Sequence, residues 1–184
     1  MKKVLPLLSV LFLISTLSGQ GWISIFGGSD RDFGYSVQQT IDTGYIITGF
    51  TTSYGDEDIW IIKTDNQGNE LWNQTFGGNE SNEQGFSIQQ TTDGGYVVIG
   101  DSQSFGSSES DVWLIKTDVQ GNEEWNQTFG GYSDDYGHFV QQTTDGGYII
   151  TAYTLTFGNG DIEIWLIKTD TQGKDQWNQT NEVS

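Results

Sequence analysis

Residues 87–131 read "SIQQTTDGGYVVIGDSQSFGSSESDVWLIKTDVQGNEEWNQTFGG". They divide into pieces of strand length, with Gly85 and Phe86 ahead of them. "GFSIQQT" is a first strand. "TDGG" is a turn, because Asp and Gly tolerate the left-handed backbone that tight hairpins need. "YVVIGDSQ" is a second strand, and the longer "SFGSSES" leads to a third, "DVWLIKT". "DVQGN" is another tight turn, before a fourth strand, "EEWNQTF". The second and third pieces are almost continuously apolar, as strands covered on both faces are. The first and fourth are more polar.

The same pattern stands twice more. "SVQQTIDTGYIITGFTTSYGDEDIWIIKTDNQGNELWNQTFGG" fills 36–78, and "FVQQTTDGGYIITAYTLTFGNGDIEIWLIKTDTQGKDQWNQT" fills 139–180. Tryptophans at 22, 72, 125 and 177 are spaced by 50, 53 and 52 residues (72 − 22, 125 − 72, 177 − 125). A leading half-motif, "GWISIFGG", occupies 21–28. Beyond the first twenty residues no helical period is present. Four antiparallel strands in about 50 residues, with two buried inner strands, is the pattern of a β-propeller blade. A parallel β-helix fits less well, since its coils are shorter and lack two tight hairpins per repeat. The expected fold is all-β. It is a partial propeller of three four-stranded antiparallel blades, near 33–78, 85–131 and 137–180, plus one extra N-terminal outer strand.

The string "DGGY", an aromatic-Gly ahead of D-x-W, then K-T-D-x-x-G-N and W-x-x-T-F-G-G resembles the blade repeats of secreted bacterial and archaeal propeller proteins of mostly unknown function. The resemblance covers residues 21–180 and implies fold more than activity. "KTDVQGNEEW" is also similar to the tryptophan-docking blades of quinone-dependent dehydrogenases and their non-catalytic scaffold relatives. There Asp and Gly make the turn and Trp packs on the neighbouring blade.

Composition narrows the function classes. Met1-Lys2-Lys3 followed by the apolar run Val4–Leu17 and the small residues Ser18 and Gly19 has the three parts of a secretory signal peptide. The expected division is a signal over 1–19 and a repeat domain over 20–184, exported to an extracellular or periplasmic space. The chain has no cysteine, so disulfides play no part. Seven Lys and Arg face 25 Asp and Glu, for a net charge of −18. Such a surface repels phosphate backbones and anionic lipids, which argues against nucleic-acid binding and membrane insertion of the processed chain.

Closed propellers need about four to eight blades. Three blades and a spare strand fall short of that, so the chain is expected to be a fragment of a longer propeller or else to complete a ring as a homodimer, rather than to stand as an open three-blade stack with exposed apolar faces and edge strands.

Topology sorts the loops onto two faces. The turns "TDTG", "TDGG", "TDGG" and "DNQGN", "DVQGN", "DTQGK" are nearly constant, as geometry alone requires. The opposite loops vary in length and content, and variable loops on a rigid scaffold carry binding residues. They hold Asp30, Asp32, Asp56, Glu57, Asp58, Glu80, Glu83, Glu109, Asp111, Asp134, Asp135, Asp161 and Glu163 against one base, Arg31. Phe33, Tyr54, Phe105, Tyr132, Tyr136 and Phe157 lie among them. Carboxylates beside aromatic planes suit carbohydrate, and clustered carboxylates suit Ca²⁺, although no loop has D-x-D-x-D-G spacing. Tyr54, Phe105 and Phe157 share one repeat position, which points to packing under the loop. His138 matches Tyr35 and Phe86, so it fills a packing slot. No cysteine nucleophile or G-x-S-x-G is present, and no catalytic constellation stands out. The Asn-Gln-Thr triplets at Asn73, Asn126 and Asn178 recur at one repeat position, as structural inheritance would have it. The expected function is a secreted, non-catalytic binding or scaffold module for a carbohydrate, cation or protein partner. Its rivals are a carbohydrate-active enzyme fragment and a purely structural surface or adhesion repeat.

Overall fold

A computed structural model describes residues 21–53, 55–78, 81–107, 109–158 and 161–180. The expected signal segment, Tyr54 and Glu80 lie outside these residues. The described chain is all-β. Strands β1 (Asp32–Gln39), β2 (Tyr45–Thr51), β3 (Asp58–Thr64) and β4 (Glu70–Phe76) form a first sheet. β5 (Glu83–Gln90), β6 (Tyr96–Ser102), β7 (Asp111–Thr117) and β8 (Glu123–Phe129) form a second, and β9 (Asp135–Gln142), β10 (Tyr148–Thr154), β11 (Glu163–Thr169) and β12 (Asp175–Thr180) a third. Each sheet is an antiparallel meander in chain order and each is open. Among the described residues no helix is long and apolar enough to cross a membrane.

The sheets stack face to face, because alternate residues of a strand point to opposite faces. In β6 and β7 the two sets feed two cores. Tyr96, Val98, Trp113 and Ile115 join Ile46, Ile59, Ile61 and Ile88 against the first sheet. Val97, Ile99, Val112 and Leu114 join Val140, Tyr148, Ile150, Ala152, Trp165 and Ile167 against the third. Every residue of β6 and β7 is therefore buried. In β10 and β11 more open residues fall between buried ones, since among the described residues the third sheet has a neighbouring sheet on one side.

The motif letters now acquire partners. "QQT" stitches adjacent inner strands: Gln90 N donates to Gln38 Oε1 at 2.7 Å, and Gln142 N donates to Gln89 Oε1 at 2.6 Å. Ile41 N and Thr92 N in turn donate to the side chains of Gln90 and Gln142, both at 2.9 Å. The outer-strand tryptophans clamp neighbouring sheets. Trp72 meets Tyr96 and Trp125 meets Tyr148, each pair with ring centroids 5.7 Å apart at 62°. Asn73, Asn126 and Asn178 accept from Trp60, Trp113 and Trp165 at 3.2–3.3 Å. Their amide nitrogens donate to Glu70, Glu123 and Asp175. Both ends of each Asn-Gln-Thr asparagine are thus committed inside the sheet.

The extra N-terminal outer strand is a correction. Residues 21–28 carry no strand, because among the described residues they pair with none of the three sheets and so share no ladder hydrogen bonds. Trp22 nevertheless takes the clamp position, 5.7 Å from Tyr45 and in contact with Gly68. The packing letter works here without the pairing.

Candidate functional site

The two ends of the stack are built differently. At the end of the constant turns, Asp42, Asp93 and Asp145 accept from the glycine amides of Gly44, Gly95 and Gly147 at 3.0–3.1 Å. They also pair with the lysines Lys63, Lys116 and Lys168 at 2.8–3.0 Å. Those lysines are buried and donate as well to the carbonyls of Thr64, Thr117 and Thr169. Lys63 and then Thr40 hold the Asp42 carboxyl down at about 2. Thr143 and then Lys168 do the same for Asp145, also to about 2. The recurrence of D-G-G-Y and K-T-D therefore has a structural cause. Each acid at this end has a cation or donor of its own.

The variable-loop end lacks those cations. Arg31 is its one base, and it bonds Glu57 at 2.7 Å. Several of the acids expected on this face are tied into the scaffold. Asp32 accepts from Thr51 at 2.6 Å and from Gly28 N at 2.9 Å. Glu83 accepts from Ser104 Oγ at 2.6 Å, from Ser102 and from Gly78 N, both at 3.1 Å. Asp135 accepts from Thr156 at 2.7 Å and Gly131 N at 3.0 Å. These three occupy one repeat position and staple the Gly-Gly crossover to the end of the second strand. Asp111 is buried, and Ser107 N donates to it. Asp56 accepts from Ser81 N at 2.7 Å, and Asp134 from Ser110 N at 3.2 Å. Asp58 is half-buried, and burial, Asp56 and Glu83 push its carboxyl up. Glu163 is buried, whereas Asp30, Glu109 and Asp161 are exposed. A cleft of about 480 Å³ opens here among Asp30, Arg31, Ser53, Asp56, Glu57 and Asn82. A larger groove of about 580 Å³ is apolar and lies between residues 22–26 and β1–β2, away from these acids. Among the described residues no group of three or more His, Cys, Asp or Glu is placed to hold a metal ion.

Of the expected aromatics, Phe105 and Phe157 lie on the tryptophans Trp113 and Trp165, with centroids 4.8 and 4.9 Å apart. Tyr132 is fully open, at 95% exposure. Phe33 and Tyr136 belong to a larger arrangement. Each inner strand carries a β-bulge, at Gly34/Ser36 in β1, at Gly85/Ser87 in β5 and opposite Thr151/Ala152 in β9. A bulge leaves one residue unpaired and re-aims its side chain. The residues released are Tyr35, Phe86 and His138. Their rings form a ladder from sheet to sheet, Tyr35 to Phe86 at 5.1 Å and Phe86 to His138 at 5.4 Å.

Beside the ladder stands a cross-strand pair in each sheet. In the first it is Phe33–Phe50, with rings stacked at 5.0 Å, and in the third Tyr136–Tyr153, at 4.8 Å. In the second sheet the same register position holds Gln84–Asp101. Asp101 is 6% exposed, shares a strand face with Val97 and Ile99, and its Oδ1 accepts no hydrogen bond among the described residues. Burial first, then the charges of Glu83, Glu57 and Asp134, push its carboxyl up to about 7. Gln84 joins this pair to the acid cleft by donating to Glu57 at 2.6 Å. Asp101 and Gln84 were not among the expected site residues. The signal for them is a polar pair in a repeat slot that is aromatic in the other two copies.

Compared with known proteins, the chain matches no family model and no curated sequence.

Proposed function

We propose that the three stacked sheets are blades of a β-propeller, of the secreted kind that the repeat resembles, and that the chain is a non-catalytic binding or scaffold module. Its loop face, acidic and bearing aromatic rings, receives a carbohydrate, cation or protein partner at a cell surface. One observation carries this reading. The constant end gives its acids buried lysines or amide donors, while the loop end gathers acids around one arginine, beside a ring ladder and a carboxylate oxygen, Asp101 Oδ1, that accepts no hydrogen bond among the described residues. A surface held in that condition is stabilised by what binds to it.

The reading is tested by removing charge at each end separately. Asp30→Asn, Glu109→Gln and Asp161→Asn alter the loop end. Glu70→Gln, Glu123→Gln and Asp175→Asn remove the same charge at the other end while keeping an acceptor for each asparagine. Binding of laminarin, xylan, Ca²⁺ and a lysine-rich peptide is measured for both sets. The loop set is expected to weaken whichever probe binds, by about tenfold or more. Loss of binding in the second set alone would overturn it.

A further inference from the structure

We infer that the column around Asp101 is a recognition site for an ammonium or guanidinium group, supplied either by a small amine or by a Lys or Arg side chain of a basic partner. This rests on the proposed loop-face reading and narrows it to one ligand chemistry and one place.

Three observations converge. The first is the substitution within the repeat. Where the first and third sheets pair two rings, the second places an amide and a carboxylate, Gln84 and Asp101. A carboxylate in an apolar slot costs stability, so an aromatic side chain would suit the scaffold better. The second is the unmet acceptor. Asp101 Oδ1 has no hydrogen-bond partner among the described residues, and the residue is more than nine-tenths buried. The charges it senses most, Glu83, Glu57 and Asp134, have its own sign. The single base of this face, Arg31, is held by Glu57. The third is the ladder. Tyr35 is 46% exposed and His138 is also exposed, and the charge of Asp101 reaches Tyr35, at one end of the ladder, and Tyr153, which packs on His138 at the other.

These features select among ligands. A neutral sugar could donate to Oδ1 but would leave the negative potential uncompensated. Among the described residues no group of three or more His, Cys, Asp or Glu is placed to hold a metal ion. A cation with N–H donors meets both needs. It lies on ring faces, where cation–π attraction operates, and it donates a charge-assisted hydrogen bond to the carboxylate. A quaternary ammonium would meet the first need and not the second, so it should bind more weakly than a primary amine.

The test is calorimetric titration of the full chain with agmatine, with a blocked Gly-Arg-Gly peptide and with choline. Asp101→Asn should weaken agmatine or the peptide by about tenfold or more. Glu70→Gln, with the same loss of charge at the far end, should change either by less than about twofold. Asp101→Tyr restores the residue of the third repeat and should abolish binding while melting no lower than the natural chain, which separates loss of the site from loss of the fold. Binding of the peptide alone assigns the source to a protein partner, and binding of agmatine alone to a free amine. Equal weakening by Asp101→Asn and Glu70→Gln, or choline binding as tightly as agmatine, would overturn the inference. Binding of a neutral oligosaccharide at the loop face with no response to either cation would overturn it too, but would leave the loop-face reading standing. Ligand responses confined to the constant turns would remove both.

Discussion

Asp101 carries the sharpest consequence at the scale of one residue. Its carboxyl is raised to about 7 in the folded chain, against about 4 for an unfolded aspartate. Between those values the native state binds more protons than the unfolded one, so stability falls as pH rises through the window. The groups that face it are Glu83 on β5, Glu57 ahead of β3, Asp134 ahead of β9, and the phenols of Tyr35, Tyr136 and Tyr153, with His138 one ring beyond Tyr153. Urea unfolding at a series of pH values should show a decline from about pH 4 to about pH 7, on the order of a few kcal/mol at about 1.4 per pH unit. Asp101→Asn should flatten it and be the more stable protein at pH 8. A second residue departs from the repeat in its backbone. Thr43 has φ 71°, where the other two copies place Gly94 and Gly146 at 90° and 84°. A β-branched residue is strained there. Thr43→Gly should raise stability by about 1 kcal/mol, read as an upward shift of the melting temperature. Neither residue attracts notice through its type. Each is legible in the sequence only by aligning the three copies and asking which slot has changed character. Asp101 is not one of the 13 acids, of 25 in the chain, that the variable loops hold.

At the scale of elements, the sheets are held to one another by what the outer strands and inner strands lend their neighbours. Trp72 is packed between Tyr96 and Gly121, whose φ of 83° and contact with that ring leave no room for a side chain. Trp177 has the same place in its own strand and is 46% exposed. Trp72→Ala should therefore cost about 3–5 kcal/mol, and Trp177→Ala well under half of that, by chemical denaturation. Strand order, both tight turns and the pairing of neighbours were readable from periodicity, because hairpin chemistry is local. Strand ends moved a little: β5 begins at Glu83, two residues before the expected Gly85. The bulges were not readable. Which residue of an inner strand goes unpaired is a matter of register against the second strand, and the bulge forms opposite Ala152 as it does opposite Gly49 and Gly100. The ring ladder follows from the bulges, and so it too was invisible in the sequence. Composition does not tell a staple such as Glu83 or Asp135 from an exposed carboxylate such as Asp30.

At the scale of the molecule, the net charge of −18 is unevenly matched with partners. The constant turns hold the buried lysines and the acids they pair with. The variable loops hold acids tied mostly to hydroxyls and backbone amides, with Arg31 as their one base, and the bulged inner strands carry the ring ladder. The proposed function rests on this polarity of the stack, with the loop end as the face that would receive a partner. Amide chemical shifts of the whole protein, followed through a titration with agmatine, test this most directly. The account predicts that the largest changes cluster at residues 33–35, 84–86, 101, 136–138 and 153, with little movement at the turns around 42–44, 93–95 and 145–147. Changes centred on those turns, or spread evenly over every exposed acid, would contradict it.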